Sequence, residues 1–307
     1  MRDPFAGDRT TRVRLVRSDG EELVMGDGLP WVIEFDGLDG FARLDLSVST
    51  SQNVLTDGSS LVSKRVNETD REVKATYIGS DRPGARARAV AFFNPRFSFA
   101  MHATVGNRTR WCEGELSGFD CPARSPRLPV ALTFTLTCLD PFWRSENGHT
   151  ESFTDSRPMF GFPYVCKTKG TKDRSGKKLT YGAPASILIY DGENTIYNDG
   201  DVPCMYRIHT DFNGSVTNPV YTKDGRFVKV VHAFSDGDEL LIDFESAPPK
   251  VEINGKTAIK NCTRDSSFTG MEMQPGDNVF DYSCDDPTNH KAYMDVQLLY
   301  NDRYLGV

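Results

Sequence analysis

The sequence lacks a long apolar run and an N-terminal targeting segment. Nothing in its 307 residues approaches the roughly 20 consecutive apolar residues that a membrane helix requires, and the N-terminal residues contain no signal-peptide core. We therefore expect a protein that is made in the cytosol and does not insert into membranes. Its Asn-x-Ser/Thr sequons are expected to stay unmodified there.

Paired cysteines are also missing. The chain has seven cysteines, an odd number, and no Cys-x-x-Cys pair. In a cytosolic protein this scatter favours free thiols over disulfides. A structural zinc site needs a paired knuckle, so we expect no bound metal.

Catalytic motifs are missing as well. The five histidines lie far apart, and the sequence contains no His-Glu-x-x-His, Gly-x-Ser-x-Gly or Gly-x-Gly-x-x-Gly motif. Residues 255–257 (Gly-Lys-Thr) resemble the end of a phosphate-binding loop, but Lys250 stands where that loop needs a glycine, which favours a hairpin. Ser175 and Lys178 fit Ser-x-x-Lys by chance in a lysine-rich loop. We expect no catalytic residue and no cofactor.

Acidic residues form three clusters of the kind that a glycosidase could use as a carboxylate pair. The clusters are Asp36 with Asp39, Asp236 with Asp238 and Glu239, and Asp285 with Asp286. Each lies beside Gly or Pro, where Asp is favoured because it hydrogen-bonds the turn backbone. Residues 198–201 (Asn-Asp-Gly-Asp) carry calcium-type ligands but lack the EF-hand spacing and its distal Glu. These patterns indicate turns.

The two halves of the chain differ in composition. Residues 1–150 hold 17 arginines but only two lysines, Lys64 and Lys74, and they contain all three tryptophans. The second half is richer in lysine and tyrosine. We predict an N-terminal module over residues 1–150 and a C-terminal module over residues 151–307, joined near the polar stretch 144–158. Chance drift within a single domain is the alternative.

Alternating apolar residues predict a mainly β protein. The pattern is clearest over residues 130–138, where every second residue is apolar and the intervening ones are mostly threonine. Hairpins are predicted at Asp19-Gly20 and Asn254-Gly255 because such turns match the twist of paired strands. Further strands are predicted over residues 185–190, 206–210, 227–233, 239–244, 279–282 and 293–300.

Two segments depart from this pattern. Residues 81–95 begin with Asp and Pro, continue with Ala and Arg, and stop at an Asn-Pro pair, which predicts one short helix. The polar stretch 47–69, with a possible turn at Asp57-Gly58, is interpreted as a projecting hairpin, which we call the arm.

Charge argues against one class of partner. The chain has 36 basic and 43 acidic residues, a net charge of −7, so sequence-specific nucleic-acid binding is not expected. The one local basic excess, on the predicted helix, is typical of a protein interface or a solvated face.

The features of the two modules follow one another in a characteristic order. In the first module a helix ends at Asn-Pro, a strand pair follows around residues 106–107, and an alternating strand ends in Asp-Pro-Phe-Trp. In the second module short polar and apolar segments follow at 196–203, 218–219, 237–243, 251–255, 274–278 and 304–307. From about residue 10 to residue 307 this order resembles the siphophage distal tail (Dit-like) proteins. The signature positions, which are structural, are Asn94, Pro95, Asp140, Pro141, Phe142 and Trp143.

The resemblance implies a structural virion protein at the distal end of the tail of a long-tailed phage. It implies a β-sandwich or split-barrel-like N-terminal module with one short helix, and a galectin-like β-sandwich (jelly-roll) C-terminal module. Six N-terminal modules would close into a homohexameric ring that connects the tail tube to the tip or baseplate and lets the genome pass. The implied partners are a second copy of the chain, the tail tube protein, the tape measure protein and tail-tip lysin or fibre proteins.

A closed ring needs two different faces on each subunit. The arm and the arginine-bearing helix are our candidates for these faces. The candidate interface residues are Asp57, Gly58, Lys64, Arg65, Arg82, Arg86, Arg88 and Arg96.

Two other functions remain open at this point. The first is a carbohydrate-binding or adhesin-type module that attaches to the host surface, although no tryptophan follows Trp143 to serve as a sugar platform. The second is a polysaccharide-cleaving enzyme on a β-sandwich, whose acids need not be adjacent in sequence.

Overall fold

A computed structural model describes residues 11–52, 57–123, 125, 128–158, 186–190, 193–285 and 293–307. The chain divides into two compact units. The N-terminal unit comprises Met1–Gly148, Gly200–Val202 and Asn301–Val307, and the C-terminal unit comprises His149–Asp199 and Pro203–Tyr300. The chain therefore returns to its N-terminal unit twice.

Strands dominate both units. Those up to residue 145 are β1 (Thr11–Arg17), β2 (Glu22–Gly26), β3 (Trp31–Asp39), β4 (Leu46–Gln52), β5 (Ser59–Val66), β6 (Thr69–Tyr77), β7 (Phe99–Val105), β8 (Arg108–Asp120), β9 (Val130–Cys138) and β10 (Trp143–Ser145), with the helix α1 (Arg82–Phe92) between β6 and β7. Those that follow are β11 (His149–Ser152), β12 (Thr154–Pro158), β13 (Ser186–Tyr190), β14 (Glu193–Asn198), β15 (Tyr206–Phe212), β16 (Val216–Thr217), β17 (Val220–Lys223), β18 (Arg226–Lys229), β19 (Ala233–Phe234), β20 (Glu239–Asp243), β21 (Lys250–Ile253), β22 (Lys256–Thr257), β23 (Gly276–Ser283), β24 (Met294–Tyr300) and β25 (Arg303–Tyr304), with a short 3₁₀ turn at Ile259–Asn261.

The N-terminal unit is built on one antiparallel sheet in the order β2-β1-β7-β8-β9-β6-β3, with β10 and β25 attached beside β8. Strand β9 illustrates how this sheet packs. Its residues alternate between buried and half-buried from Val130 to Cys138, as the period-2 pattern predicted. The predicted hairpin at Asp19-Gly20 joins β1 to β2, and Gly20 takes a positive φ of 91° there. These two predictions are confirmed.

The predicted helix is also confirmed. The carboxylate of Asp81 accepts a hydrogen bond from the backbone N–H of Gly84 at 3.0 Å, and Pro83 occupies the first turn, where it needs no backbone donor. Its buried face carries Ala85, Ala89 and Phe92. After the helix Phe93 stacks on the rings of a core aromatic cluster, with its centroid 4.7 Å from that of Phe134.

The C-terminal unit contains a six-stranded sheet, β11-β24-β15-β20-β21-β22, and a four-stranded sheet, β14-β23-β17-β18. The two sheets share one apolar core, in which the rings of Tyr206 on β15 and Phe280 on β23 lie 5.2 Å apart. The hairpin at Asn254-Gly255 forms as predicted, with a positive φ at both residues. The strand predicted over residues 227–233 ends at Lys229, because the backbone then bonds the loop around Asn261 instead.

The fold is therefore mainly β, as predicted, with one α-helix among the described residues. No helix in that part of the chain is long and apolar enough to span a membrane.

Candidate functional site

The arm is a two-stranded ribbon. Strands β4 and β5 pair with each other and with no other described strand, so both of its outer edges are free of backbone partners there. Fourteen of its 15 strand residues are exposed, and Val66 is half-buried. Free edges of this kind readily pair with or pack against another chain. A two-stranded ribbon is also only marginally stable alone in water, so a packing partner would stabilise it.

The two faces of the arm differ in polarity. Leu46 pairs with Val66 and Val48 with Lys64, and after a register shift Thr50 pairs with Leu61. Because residues directly opposite each other share a face, these residues form one largely apolar face. The opposite face carries the serines and one cation, namely Ser47, Ser49, Ser51, Ser60, Ser63 and Arg65.

The apolar face of the arm is uncovered. The exposed fractions are 49% for Leu46, 54% for Val48 and 63% for Leu61, and Val62, at the register shift, is 65% exposed. Clustered exposed apolar residues of this kind mark interaction surfaces.

The arm residues that the sequence singled out lie where they are available to a partner. Lys64 and Arg65 are exposed on β5, and Arg65 donates through Nε to Asn67 at 3.1 Å. Asp57 and Gly58 immediately precede β5, and Gly58 has a positive φ of 100°. The tip between the strands, residues 53–56, lies outside the described residues.

The helix arginines are divided between internal contacts and solvent. Arg86 donates through Nε to the backbone carbonyl of Cys121 at 3.1 Å, which ties α1 to the segment after β8. Arg88 is exposed and lies 3.4 Å from Asp81. Arg82 is half-buried and Arg96 is exposed. The exposed cations are therefore Arg88 on the helix and Arg96 in the turn that follows it, so the prediction that Arg96 lies on the helix is wrong.

The Asn-Pro signature ends the helix. The side-chain carbonyl of Asn94 accepts a hydrogen bond from the backbone N–H of Arg96 at 3.1 Å, and its backbone carbonyl accepts one from Phe97 at 3.2 Å. Pro95 is exposed within this turn. These contacts give the pair a structural role.

The second half of the signature is anchored in the core. Trp143 is fully buried, and its indole N–H donates to the backbone carbonyl of Phe41 at 2.9 Å. The guanidinium of Arg71 lies 4.0 Å from the Trp143 ring centroid and donates to the carbonyl of Pro141 at 2.7 Å. A buried cation over an indole face is a strong pairing in a desolvated site.

Asp140 links the signature to the last strand. Its carboxylate accepts hydrogen bonds from Arg303 on β25 and, at 3.3 Å, from Arg144. Burial alone raises the pKa of Asp140, but the hydrogen bond and charge of Arg303 and the charge of Arg144 outweigh it, so the pKa is lowered. Arg303 also lies over the ring of Phe142, 5.1 Å from its centroid.

Sequence reasoning missed Arg71 and Arg303. A signal for Arg71 was present, because it occupies a core-facing position in the alternating strand β6, where Val73 and Ala75 are also buried. A charged residue on such a face is rarely buried without a partner. For Arg303 the sequence carries no comparable signal, because its partner lies 163 residues away.

A pair of thiols lies beside this core. The Sγ atoms of Cys112 and Cys138 are 3.8 Å apart and both residues are buried. The hydrogen bond from Cys112 and the charge of Arg71 lower the pKa of the Cys138 thiol to about 7, although burial opposes this. Burial raises the pKa of Cys112. The six described cysteines are free thiols, and Cys166 lies outside the described residues.

A groove of about 520 Å³ crosses the outer face of the N-terminal sheet at β1, β7, β8 and β9. Its floor and rim include Val16, Ala100, Glu113, Glu115 and Leu139. Leu139 is 76% exposed, and both glutamates are exposed. The groove is therefore apolar at its centre and acidic at its rim.

Among the carboxylates considered for catalysis, Asp238 and Asp285 behave as turn residues, whereas Asp36 and Asp39 lie in strand β3, so the turn predicted for that pair is wrong. Asp238 accepts hydrogen bonds from the backbone of Ser235, in the connection between β19 and β20, and from the side chain of Asn254, in a hairpin turn. Asp285 pairs with Lys229 at 2.7 Å. Across the described residues no three His, Cys, Asp or Glu side chains are grouped so as to hold a metal. Ser175 and Lys178 lie outside those residues.

The calcium-type stretch is likewise used within the fold. The amide of Asn198 is buried and donates to the carbonyl of Met273 at 3.1 Å, and the carboxylate of Asp201 accepts from the backbone of Leu305 at 3.1 Å.

Residues 199–304 match the family model described as siphovirus-type tail component, C-terminal domain. The predicted resemblance to the Dit-like proteins is confirmed. No curated protein sequence matches the chain significantly.

Two solved structures share the fold of this chain. One is the crystal structure of SPP1 Dit (gp 19.1), described as a hub of the adsorption apparatus in phages that infect Gram-positive bacteria. It is 12% identical, the TM-score is 0.61, and the match covers 95% of this chain and 98% of that one. The other is a chain of the phage P2 baseplate in its activated conformation with Ca, at 8% identity and a TM-score of 0.50, covering 97% of this chain and 99% of that one.

These findings support a structural distal tail protein, and with it a location in the virion tail.

Proposed function

We propose that this Dit-like chain forms a six-membered ring at the distal end of a phage tail, joining the tail tube to the tip or baseplate proteins and leaving a central passage for the genome. The tape measure protein would occupy that passage before DNA release, and lysin or fibre proteins would attach to the outer side. The chain acts by assembly and carries no catalytic centre. It is made in the host cytoplasm before it enters the virion.

The arm is the observation that carries this proposal. A monomer that left its apolar face and two free strand edges in water would be prone to non-specific association. Packing that face on a neighbouring subunit takes it out of water and prevents such association. The arm is one surface of the subunit and its acceptor is a different one. Each subunit can therefore pack its arm on one neighbour and accept the arm of the other neighbour, and such head-to-tail contacts can close into a ring.

The charge pattern agrees with a structural role in a DNA passage. The net charge of −7 gives no general attraction to a polyanion, so DNA would pass without tight binding.

The first experiment is the molar mass of the purified protein by light scattering, with negative-stain images of the same peak. We expect a mass of about 206 kDa, six times the 34.3 kDa of one chain, and rings with an open centre. A chain that stays monomeric at every concentration, both alone and mixed with tail tube protein, would contradict the ring.

Variants then test the part that the arm plays. Replacing residues 47–65 by a short Gly-Ser linker, or the milder change Leu61→Asp, should abolish the ring. The matched control is Val231→Asp, which places the same charge on a residue of the C-terminal unit that is 50% exposed. If the arm-deleted chain still forms closed six-subunit rings, the arm is not a ring interface.

A further inference from the structure

The acceptor for the arm lies in the same unit. We infer that the arm of one copy docks with its apolar face into the acidic groove on the N-terminal sheet of the next copy. This inference rests on the proposed ring, and it identifies which two surfaces meet within it.

The groove has an apolar floor that no described residue covers. Val16, Ala100 and Glu113 are successive partners across β1, β7 and β8, so they form one row on the outer face of the sheet. Glu115 and Thr137 form the next row across β8 and β9. Leu139 adds a branched apolar side chain at the β9 end, with 76% of its surface exposed.

Two glutamates of the acidic rim carry charge that no described residue neutralises. Glu113 and Glu115 are exposed and form no salt bridge with a described residue. Arg17, the cation in the groove wall, forms salt bridges with Asp19 at 2.6 Å and with Glu21 at 2.5 Å. The groove therefore presents two carboxylates to whatever occupies it.

The arm supplies the complementary chemistry. Its apolar face carries Leu46, Val48 and Leu61 together with one cation, Lys64, and Arg65 lies beside Lys64 on the other face. An apolar floor with two acids thus meets an apolar face with one base, Lys64. Complementary charges of this kind fix the register of an interface and suppress wrong partners.

The groove is wide enough for the arm. The groove crosses four neighbouring strands, a width of about 14 Å at roughly 4.8 Å per strand spacing. A two-stranded ribbon fits within that width.

Site-directed cross-linking tests the contact directly. Chains carrying Leu61→Cys are mixed with chains carrying Leu139→Cys, oxidised mildly, and run on a non-reducing gel. We expect a covalent dimer in the mixture and in neither variant alone, and a ladder of up to six chains from the double variant. The matched control pairs Leu61→Cys with Val231→Cys, and the unmodified chain reports any background from native thiols.

Charge reversal provides a second, independent readout. Lys64→Glu and the pair Glu113→Lys with Glu115→Lys should each raise the protein concentration needed for half-assembly by about tenfold or more. Combining Lys64→Glu with Glu113→Lys should restore most of the loss. Lys256→Glu, which reverses an exposed cation in the C-terminal unit, is the control that separates a specific pairing from a change in net charge.

The outcomes separate the two proposals. Closed rings that show no cross-link between Leu61→Cys and Leu139→Cys, and no response to charge reversal, would overturn the arm-in-groove contact and leave the ring standing. Absence of both rings and cross-links would overturn both. A cross-link that forms only within single double-variant chains would show that the arm folds onto its own subunit and would also overturn the contact.

Discussion

Substitution of Trp143 by Phe tests the idea that the Asp-Pro-Phe-Trp signature anchors the N-terminal core. The change keeps an aromatic ring but removes the indole N–H, which donates to the carbonyl of Phe41 at 2.9 Å in a fully buried site. Leaving a buried carbonyl without its donor costs about 1–3 kcal/mol. The smaller ring also leaves a cavity beneath the Arg71 guanidinium, which adds about 1 kcal/mol.

We therefore expect the free energy of unfolding of the N-terminal unit to fall by about 2–4 kcal/mol. The matched control is Trp111→Phe. Trp111 is half-buried, and its indole N–H also donates to a backbone carbonyl, that of Ser145, at 2.9 Å. Because water can replace the donor at a partly exposed site, the control should lose only about 0.5–1.5 kcal/mol.

The assay is urea unfolding followed by circular dichroism, with hydrogen exchange and mass spectrometry to assign the transition to a unit. A loss of 2–4 kcal/mol corresponds to roughly 30- to 900-fold faster exchange in peptides from β7 and β9. Peptides from β15, in the other unit, should not change. Equal losses for the two Trp variants, or faster exchange in β15 alone, would refute the reasoning.

The remaining predictions concern charge, backbone and thiol chemistry in the same unit. Asp140→Asn should destabilise the unit by about 1–3 kcal/mol at neutral pH by removing hydrogen bonds to charged partners. Because the pKa of Asp140 is lowered in the folded state, its carboxylate stabilises the unit above about pH 3.9, and this stabilisation is lost as the pH falls through the folded-state pKa. The acid denaturation curves of wild type and variant should therefore converge. Gly40→Ala places a Cβ 2.1 Å from the backbone oxygen of Asp70 at a positive φ and should cost well over 2 kcal/mol in thermal unfolding, whereas Gly20→Ala, with a positive φ but open space, should cost about 1 kcal/mol. Cys138→Ser should remove a thiolate ultraviolet absorbance that titrates near pH 7. Because the pKa of Cys138 is lowered in the folded state, ionisation of this thiol stabilises the unit fully above the pKa of the unfolded thiol, and that stabilisation is lost as the pH falls through about 7. An unchanged titration in Cys138→Ser would assign the thiolate to another cysteine.

Local features of the fold were predictable from the sequence because they depend on neighbouring residues. Strand β9 follows from strict alternation over nine residues, and α1 follows from a capping Asp81, an Ala-rich interior and a closing Pro95. The hairpin turns follow from residues that tolerate a positive φ. In each case the signal lies within a dozen residues of the element that it specifies.

The candidate site was predictable only in part. The arm was recognised as a polar hairpin, and the alternation of Leu46 and Val48 with serines was present in its first strand. Its amphipathic character depends on the register shift that places Leu61 opposite Thr50, and a shift of one residue moves a side chain to the other face. The groove was not predictable, because its residues come from four strands.

The sequence by itself determined the element types, the turns, the mainly β class and the resemblance to distal tail proteins, since these depend on local backbone preference and on the order of motifs. Only the tertiary structure decided that Arg71 is buried against the Trp143 ring, that Asp140 is bound by Arg303, and that the segment Asn301–Val307 belongs to the N-terminal unit. Those contacts join residues up to 163 positions apart. Their partners are chosen by strand pairing and by the need to satisfy buried charges, and neither is written in any local stretch of the chain.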